Sequence, residues 1–135
     1  MKLQPVIILT TGLALTAAVL LLSLPERQTP IPAATETDRQ LWLFGQGYKG
    51  REISAEEIIV PDPEDPVFSG YAAMQAEQGL PLERYAGQPA ARYVYALEQT
   101  PLCAELLVAD GQLIGAMCCD PAAHTMLRIS REPFS

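Results

Sequence analysis

One uninterrupted apolar run near the N-terminus constrains this chain more than any other feature. Residues 6–24 read VIILTTGLALTAAVLLLSL and contain no charged side chain. As a helix they span about 28 Å at about 1.5 Å per residue, close to the roughly 30 Å hydrocarbon core of a bilayer. The alternative, a cleaved signal peptide, has a shorter apolar stretch and a small-residue cleavage site, whereas Pro25, Glu26 and Arg27 follow here. We therefore predict a single-pass transmembrane helix over residues 6–24.

The charges beside this run predict its orientation. Lys2 and the amino terminus precede the run, whereas Glu26 and Arg27 follow it. Since positive flanking charges favour the cytoplasmic side, we expect residues 1–5 in the cytoplasm and the folded domain outside the cytoplasmic membrane. This orientation rests on a small excess of positive charge.

The acidic composition argues against one class of partner. The 135 residues include 9 Lys and Arg against 16 Asp and Glu, which gives a formal net charge of -7. The chain has no run of Lys or Arg, so we expect it to repel the phosphates of nucleic acids and to bind none. The same charge repels anionic lipid, so the domain is expected to stand off the membrane surface. The predicted partners are the membrane, through the N-terminal helix, and an unidentified protein.

The remainder of the chain divides into a linker and one domain. Residues 25–36 hold three prolines and are expected to form a semi-extended, Pro-rich linker. Residues 37–131 are expected to form the domain. Its first helix is predicted to begin at Thr37 as the N-cap, with Gln40 three positions later, and to end before Gly47.

A second helix is expected over residues 67–78. The prolines within residues 61–66 form a break that neither a helix nor a central strand accommodates. Gly79 is expected to end the helix, and a further helical turn is expected over residues 81–85. The helix is predicted from apolar and amide side chains that recur at helical spacing, namely Val67, Tyr71, Met74 and Gln78.

Extended segments account for most of the other residues. They are expected at residues 48–52, 56–60, 92–98, 104–109, 112–119 and 125–131. Asp110 and Gly111 favour a type I′ turn between the fourth and fifth of these, which predicts a β-hairpin. Pairing outward from the turn predicts a core-facing set of pairs: Val108 with Leu113, Leu106 with Gly115, and Ala104 with Met117.

The predicted fold is a small α+β domain. Two helices pack on one side of an antiparallel sheet that contains the C-terminal hairpin. The hairpin face that carries Glu105 and Gln112 is expected to be partly wet. The transmembrane helix precedes this domain.

Short motifs that follow one another in a fixed order suggest a family. The order runs from about Arg39 to Met126 and resembles the bacterial family catalogued as domain of unknown function 4830. The resemblance implies a short protein, mainly of Gram-positive bacteria, with an N-terminal membrane segment, and it implies no activity. Relatives tend to have Gly-Gly-acidic after the isoleucine, where this chain has Gly115-Ala116-Met117. The motifs are Trp42-Leu43 with Gly47-Tyr48, Val60-Pro61, Tyr71-x-x-Met74-Gln75-x-x-Gln78-Gly79-x-x-Leu82-x-x-Tyr85-x-Gly87, Arg92-Tyr93-x-Tyr95, and Leu106-Leu107-Val108 with Ile114-Gly115.

The three cysteines are candidates for a disulfide. The hairpin register that pairs Val108 with Leu113 also pairs Cys103 with Cys118. A cross-strand disulfide between them is geometrically possible, at a Cα separation of about 5.5 Å. A change of one residue in the turn brings Cys119 there instead. The alternative is that the thiols act as small hydrophobic side chains within a strand.

A thiol-redox or metal site is the alternative function. It would use Cys103, Cys118, Cys119 and His124, although adjacent cysteines on a strand point to opposite faces. His124 is the only histidine, and no serine lies in a nucleophile-elbow context, so no catalytic constellation is visible and we expect no enzyme. No cofactor or metal is expected.

Two further residue groups allow two readings each. The tyrosines could line a recognition groove or fill the core; they are Tyr71, Tyr85, Tyr93 and Tyr95. The acidic side chains could bind Ca²⁺ weakly, but a solvated face is favoured because their spacing fits no calcium loop; they are Glu56, Glu57, Asp62, Glu64 and Asp65. The leading hypothesis is therefore a single-pass, membrane-anchored, extracytoplasmic interaction or sensing module without enzymatic activity.

Overall fold

The computed structural model describes residues 29–122 and 125–127. The predicted cytoplasmic residues 1–5, the transmembrane helix at 6–24 and the first part of the linker lie outside these residues. Within them, no helix has the length and apolar character needed to cross a membrane. The transmembrane helix therefore stays a prediction.

The described residues form an α+β domain, as predicted. The strands are antiparallel and lie in sheet order β1-β2-β3-β4-β5. The last predicted strand, at 125–131, is present at its start, and residues 128–131 lie outside the described part. The elements are α1 (Glu36–Gly45), β1 (Gly50–Ile59), α2 (Ser69–Glu77), a 3₁₀ helix (Leu82–Tyr85), β2 (Pro89–Leu97), β3 (Cys103–Ala109), β4 (Gln112–Asp120) and β5 (Thr125–Leu127).

The turn of the hairpin confirms the local prediction, whereas the register beyond it does not. Asp110 and Gly111 have φ of 51° and 72°, the two left-handed conformations that a type I′ turn requires. Val108 lies opposite Leu113, as predicted, but an irregularity follows immediately, because β4 carries one extra residue, Ile114. The pairs expected beyond this bulge were wrong by one residue: Leu106 lies opposite Ala116, Leu107 opposite Gly115, and Ala104 opposite Cys118.

The two helices pack on opposite faces of the sheet, so the prediction of a single covered face was wrong. Leu43 of α1 belongs to one core cluster, together with Leu106. Tyr71 of α2 belongs to the other cluster, together with Leu107. The neighbouring residues Leu106 and Leu107 point to opposite faces and are both almost completely buried. A strand that is apolar on both sides needs a covering layer on each.

The two α-helices begin at residues other than those predicted. Thr35, not Thr37, is the N-cap of α1, because its hydroxyl accepts a hydrogen bond from the Asp38 amide and Asp38 accepts one from the Thr35 amide. Helix α2 begins at Ser69, and Val67, which was expected to belong to the helix, precedes it and is 94% exposed. The helix ends confirm the prediction, with φ of 94° at Gly47 and 78° at Gly79.

The outer edge of β4 is covered along its length. The segment 31–33 pairs with it near the turn, through bonds of 2.9 Å from the Ala33 amide to the Gly111 carbonyl and from the Leu113 amide to the Ile31 carbonyl. The domain therefore begins before the predicted boundary at residue 37. Farther along, β5 pairs with the end of β4.

Two glutamine side chains, Gln75 of α2 and Gln78 at its C-cap, cover the middle of the same edge. The Gln75 Oε1 accepts a 2.8 Å bond from the Ala116 amide, and the Gln78 Nε2 donates a 2.8 Å bond to the Ala116 carbonyl. These side-chain amides form the hydrogen bonds with the β4 backbone that a neighbouring strand would otherwise form. The opposite edge of the sheet, β1, has no strand beside it in the described part of the chain. Residues 48–52 and 56–60, expected as separate segments, belong largely to this one strand, with an irregularity between Glu52 and Ser54.

Candidate binding pocket

A pocket opens on the α2 face of the sheet, between β1, the loop that follows it, and α2. Its cavity volume is about 400 Å³, within the range of small-molecule and side-chain binding sites. We call it the Tyr71 pocket. Its lining is mainly apolar, with three polar side chains: Ile58, Ile59, Pro61, Val67, Phe68, Leu107 and Met117, and Tyr71, Arg92 and Glu105.

The pocket exists because α2 is too short to cover its face of the sheet. The helix has nine residues, and Gln75 within it and Gln78 at its C-cap bind β4. At the pocket, the surface of β1 to β3 is bordered by the preceding loop, through Pro61, Val67 and Phe68. Asp62 and Asp65 shape this loop, since their Oδ1 atoms accept 2.9 Å bonds from the Glu64 and Val67 amides. As a result Val67 stands at the rim, where it is 94% exposed.

An ion pair forms the polar part of the pocket wall. Arg92 contacts Glu105 through two parallel bonds, Nε to Oε1 at 3.0 Å and Nη2 to Oε2 at 3.1 Å. Its Nη1 also lies 2.6 Å from Oε1 of Glu56. These bonds, foremost those that Arg92 donates to Glu105, raise the pKa of Arg92 above its usual value. The Glu105 side chain is buried, so the prediction of a wet face was wrong at this residue: Arg92 lies with it and compensates its charge.

Tyr71, which lines the same pocket, has a buried hydroxyl. The residue is 5% exposed, and its hydroxyl has no hydrogen-bond partner among the described residues. The hydroxyl lies beside Gly115, where an added Cβ would stand 3.4 Å from it. Burial, with a further contribution from the Glu105 carboxylate, raises the pKa of Tyr71. The phenol therefore keeps its proton and is available as a donor and an acceptor.

A second polar cluster, around Arg39, has a structural role. Arg39 is 6% exposed, and its Nε donates a 2.9 Å bond to the Tyr95 hydroxyl. Its Nη1 bonds the carbonyls of Ala33 and Ala34 at 2.9 and 3.1 Å. Its Nη2 lies 3.4 Å from Glu36. The guanidinium thus joins the segment before α1, the helix itself and the sheet, and each of its nitrogens has a partner.

Glu36 completes this cluster. Its Oε1 and Oε2 accept bonds from Gln40 at 2.8 Å and from the Tyr95 hydroxyl at 2.7 Å. Burial acts to raise the pKa of Glu36, but these hydrogen bonds and the charge of Arg39 outweigh it. The pKa therefore lies below the usual value of 4.5.

The structure pairs the cysteines differently from the prediction. Cys103 lies opposite Cys119 on the neighbouring strand, and Cys118 lies opposite Ala104 in the core beneath α1. The bulge at Ile114 causes this change of one residue. All three thiols are free. Burial raises the pKa of Cys118 and of Cys119.

The residues of the alternative thiol-redox or metal site are only partly described. His124 lies outside the described residues. Over residues 29–122 and 125–127, no group of three or more His, Cys, Asp or Glu side chains is placed to hold a metal ion. The acidic side chains considered for Ca²⁺ are all exposed: Glu56, Glu57, Asp62, Glu64 and Asp65.

The four tyrosines do not line one groove. Tyr93 and Tyr95 pack with the core beneath α1, whereas Tyr71 and Tyr85 pack with the core beneath α2. The groove reading was therefore wrong, and core packing explains most of their surface. Only Tyr71 lines the pocket described above.

Sequence reasoning missed the pairing of Arg92 with Glu105. A signal was present, since each charge lies within an apolar strand and the two strands are neighbours along the chain. Opposite charges at inward positions of adjacent strands indicate a buried pair. The register needed to match them depends on tertiary pairing.

Comparison of this chain with protein-family models, with curated proteins and with solved structures found no match. The resemblance described above therefore stays a prediction, and the geometry of the described residues carries the functional argument.

Proposed function

We propose that this protein is a non-enzymatic interaction module, anchored by residues 6–24 in the cytoplasmic membrane, whose domain lies outside the membrane and binds a partner protein through the Tyr71 pocket. The observation that carries this proposal is the pocket itself. It is an apolar concavity with a few converging polar groups and an exposed apolar rim at Val67 and Ile59. Such a combination is typical of a recognition site.

The polar groups of the pocket favour binding over catalysis. Both oxygens of Glu105 accept bonds from Arg92, and the Arg92 pKa is raised. With its pKa raised, the Arg92 guanidinium keeps its proton near neutral pH, whereas general acid–base catalysis requires a group that exchanges one. The ion pair instead forms a rigid polar surface that orients the bound segment of the partner protein.

A methyl-detected NMR titration of the full chain with the neutral peptide acetyl-Leu-Phe-Leu-amide tests the pocket. We expect shift changes at Val67 and Met117 in the wild-type protein, and loss of the change at Met117 in Val67→Asp. Leu41→Asp is the matched control, because Leu41 is 65% exposed on α1, on the opposite face of the sheet. Equal effects of the two substitutions, or shifts confined to α1, would contradict the proposal. A reporter fused to the C-terminus and active only in the cytoplasm would reverse the proposed orientation.

A second candidate function, thiol redox chemistry, is favoured by one observation. Cys103 and Cys119 are direct partners across β3 and β4, and both are only partly buried. In exchange with a disulfide RSSR, the Cys103 thiolate would displace one RSH, and the Cys119 thiolate would then attack the Cys103 sulfur and release the second RSH. The protein would lose two hydrogens, and two RSH would form.

Thiol counting after incubation with oxidised glutathione tests this candidate. We expect one free thiol in the wild-type protein after this incubation. Cys103→Ser should form no internal disulfide and should retain two free thiols. Cys118→Ala should still form the bridge and retain no free thiol. Three free thiols in the oxidised wild-type protein, or a bridge that includes Cys118, would rule out the Cys103–Cys119 couple.

A further inference from the structure

We infer that the occupant of the Tyr71 pocket is a basic, apolar segment of a partner polypeptide, with an apolar side chain inside the pocket and Lys or Arg against its acidic rim. This inference rests on the proposed function, since it names the chemistry of the partner that the pocket takes. Three features carry it: the charges of the loop, the charge of the wall, and the unpaired hydroxyl of Tyr71.

The loop that forms one side of the pocket is strongly acidic. Pro61 and Val67 both line the pocket, and the chain between them carries Asp62, Glu64 and Asp65, all of them exposed. No basic residue lies in this stretch. Three carboxylates within five residues create a negative potential beside an apolar opening, which attracts a cationic group and repels an anionic one.

The wall adds to this charge instead of offsetting it. Arg92 is the single cation among the residues described as lining the pocket, and it contacts both Glu105 and Glu56. The three side chains together carry a formal charge of -1. Arg92 therefore offers little attraction for an anionic ligand, and a cation entering beside it meets an excess of carboxylate.

The buried hydroxyl of Tyr71 is an independent indication that a ligand with a polar group belongs here. Tyr71 lines the pocket, and its hydroxyl is desolvated and has no hydrogen-bond partner among the residues that the structure describes. Buried polar groups in native proteins are paired in the great majority of cases. A polypeptide segment can place an apolar side chain against the apolar lining. Its backbone carbonyl or amide can supply the hydrogen-bond partner that the hydroxyl lacks.

Fluorescence anisotropy with labelled tetrapeptides and the full chain tests this inference. The basic probe is acetyl-Lys-Leu-Phe-Lys-amide, and Gln or Glu replaces both Lys residues in the neutral and acidic probes. At low salt we expect the basic probe to bind about tenfold more tightly than the neutral one, and the acidic probe more weakly still. This preference should shrink as ionic strength rises, because the rim charges are exposed.

Matched variants assign the preference to the rim. The triple variant Asp62→Asn, Glu64→Gln and Asp65→Asn keeps the side-chain oxygens that shape the loop, and we expect it to bind the basic and neutral probes within about twofold of each other. The control variant changes the same number of charges outside the pocket and should retain the preference. It combines Glu83→Gln, Glu98→Gln and Asp110→Asn.

The outcomes separate this inference from the proposed function. If all three probes bind equally and Val67→Asp abolishes their binding, the pocket is a binding site but its occupant is not basic. If the basic probe binds and Val67→Asn, which adds no charge to the rim, leaves its affinity unchanged, the acidic loop binds cations without the pocket, and both proposals fail. If the basic probe does not bind while acetyl-Leu-Phe-Leu-amide does, the inference alone fails.

Discussion

Replacement of Arg39 by methionine should remove much of the stability of this domain. Methionine retains an unbranched apolar stem but has no donor, so the substitution leaves the Tyr95 hydroxyl and the carbonyls of Ala33 and Ala34 without their shared partner. The three bonds measure 2.9, 2.9 and 3.1 Å. The guanidinium also lies 3.7 Å above the ring of Tyr93.

The magnitude follows from the burial of these groups. A bond to a charged donor contributes about 1.5–3 kcal/mol, but three bonds to one guanidinium do not add in full, because its desolvation opposes them. The contacts with Glu36 and Glu52, at 3.4 and 3.6 Å and partly exposed, contribute at most about 1 kcal/mol each. We therefore expect Arg39→Met to lower the free energy of unfolding by about 3–5 kcal/mol, against the roughly 5–15 kcal/mol typical of a domain.

Urea denaturation followed by tryptophan fluorescence measures this loss. Trp42 is the single tryptophan and lies on α1, the helix that Arg39 secures. Arg51→Met is the control, since it makes the same substitution at an exposed position of β1, and it should change stability by less than about 0.5 kcal/mol. A loss below about 1 kcal/mol in Arg39→Met would show that water replaces the guanidinium, and the structural role assigned to it would be wrong.

Three further changes have expected outcomes. Thr35→Ala should lower the free energy of unfolding by about 1 kcal/mol, whereas Thr37→Ala, at the N-cap expected from sequence, should change it by less than about 0.5 kcal/mol. Gly115→Ala places a Cβ 3.3 Å from a neighbouring methyl group and should destabilise the domain by about 1 kcal/mol. Gly70→Ala should not destabilise it, because no atom lies within 4 Å of the added Cβ. Thermal unfolding of the two variants measures the difference. The lowered pKa of Glu36 contributes stability that is present above its usual value of 4.5 and is lost as the pH falls below it, so Glu36→Gln should flatten the dependence of Tm on pH between pH 3 and 6.

Features that depend on neighbouring residues in the chain were predictable. The turn at Asp110 and Gly111 needs two left-handed residues, which this dipeptide adopts readily, and it pairs Val108 with Leu113. Gly47 and Gly79 end their helices because glycine adopts positive φ at little energetic cost. The α+β class follows from the change of apolar spacing from helical to alternating along the chain.

Features that depend on distant residues were not predictable in this way. The bulge at Ile114 changed the partner of Cys103 from Cys118 to Cys119, and local pattern does not reveal such an insertion. The same limit applies to the helices: apolar periodicity shows that each has a buried side, but not which face of the sheet that side covers. Adjacent leucines at 106 and 107 leave both choices open.

By itself, the sequence of this protein determined an apolar run of membrane-spanning length, an acidic domain and its succession of helices and strands, since each follows from short-range spacing and composition. Tertiary structure alone decided that Gln75 covers the edge of β4, that Arg92 contacts Glu105, and that the hydroxyl of Tyr71 is buried without a partner among the described residues. These residues lie far apart along the chain. Their contacts exist only once the register of β2 to β4 and the position of α2 are established together, and the Tyr71 pocket is a consequence of that assembly.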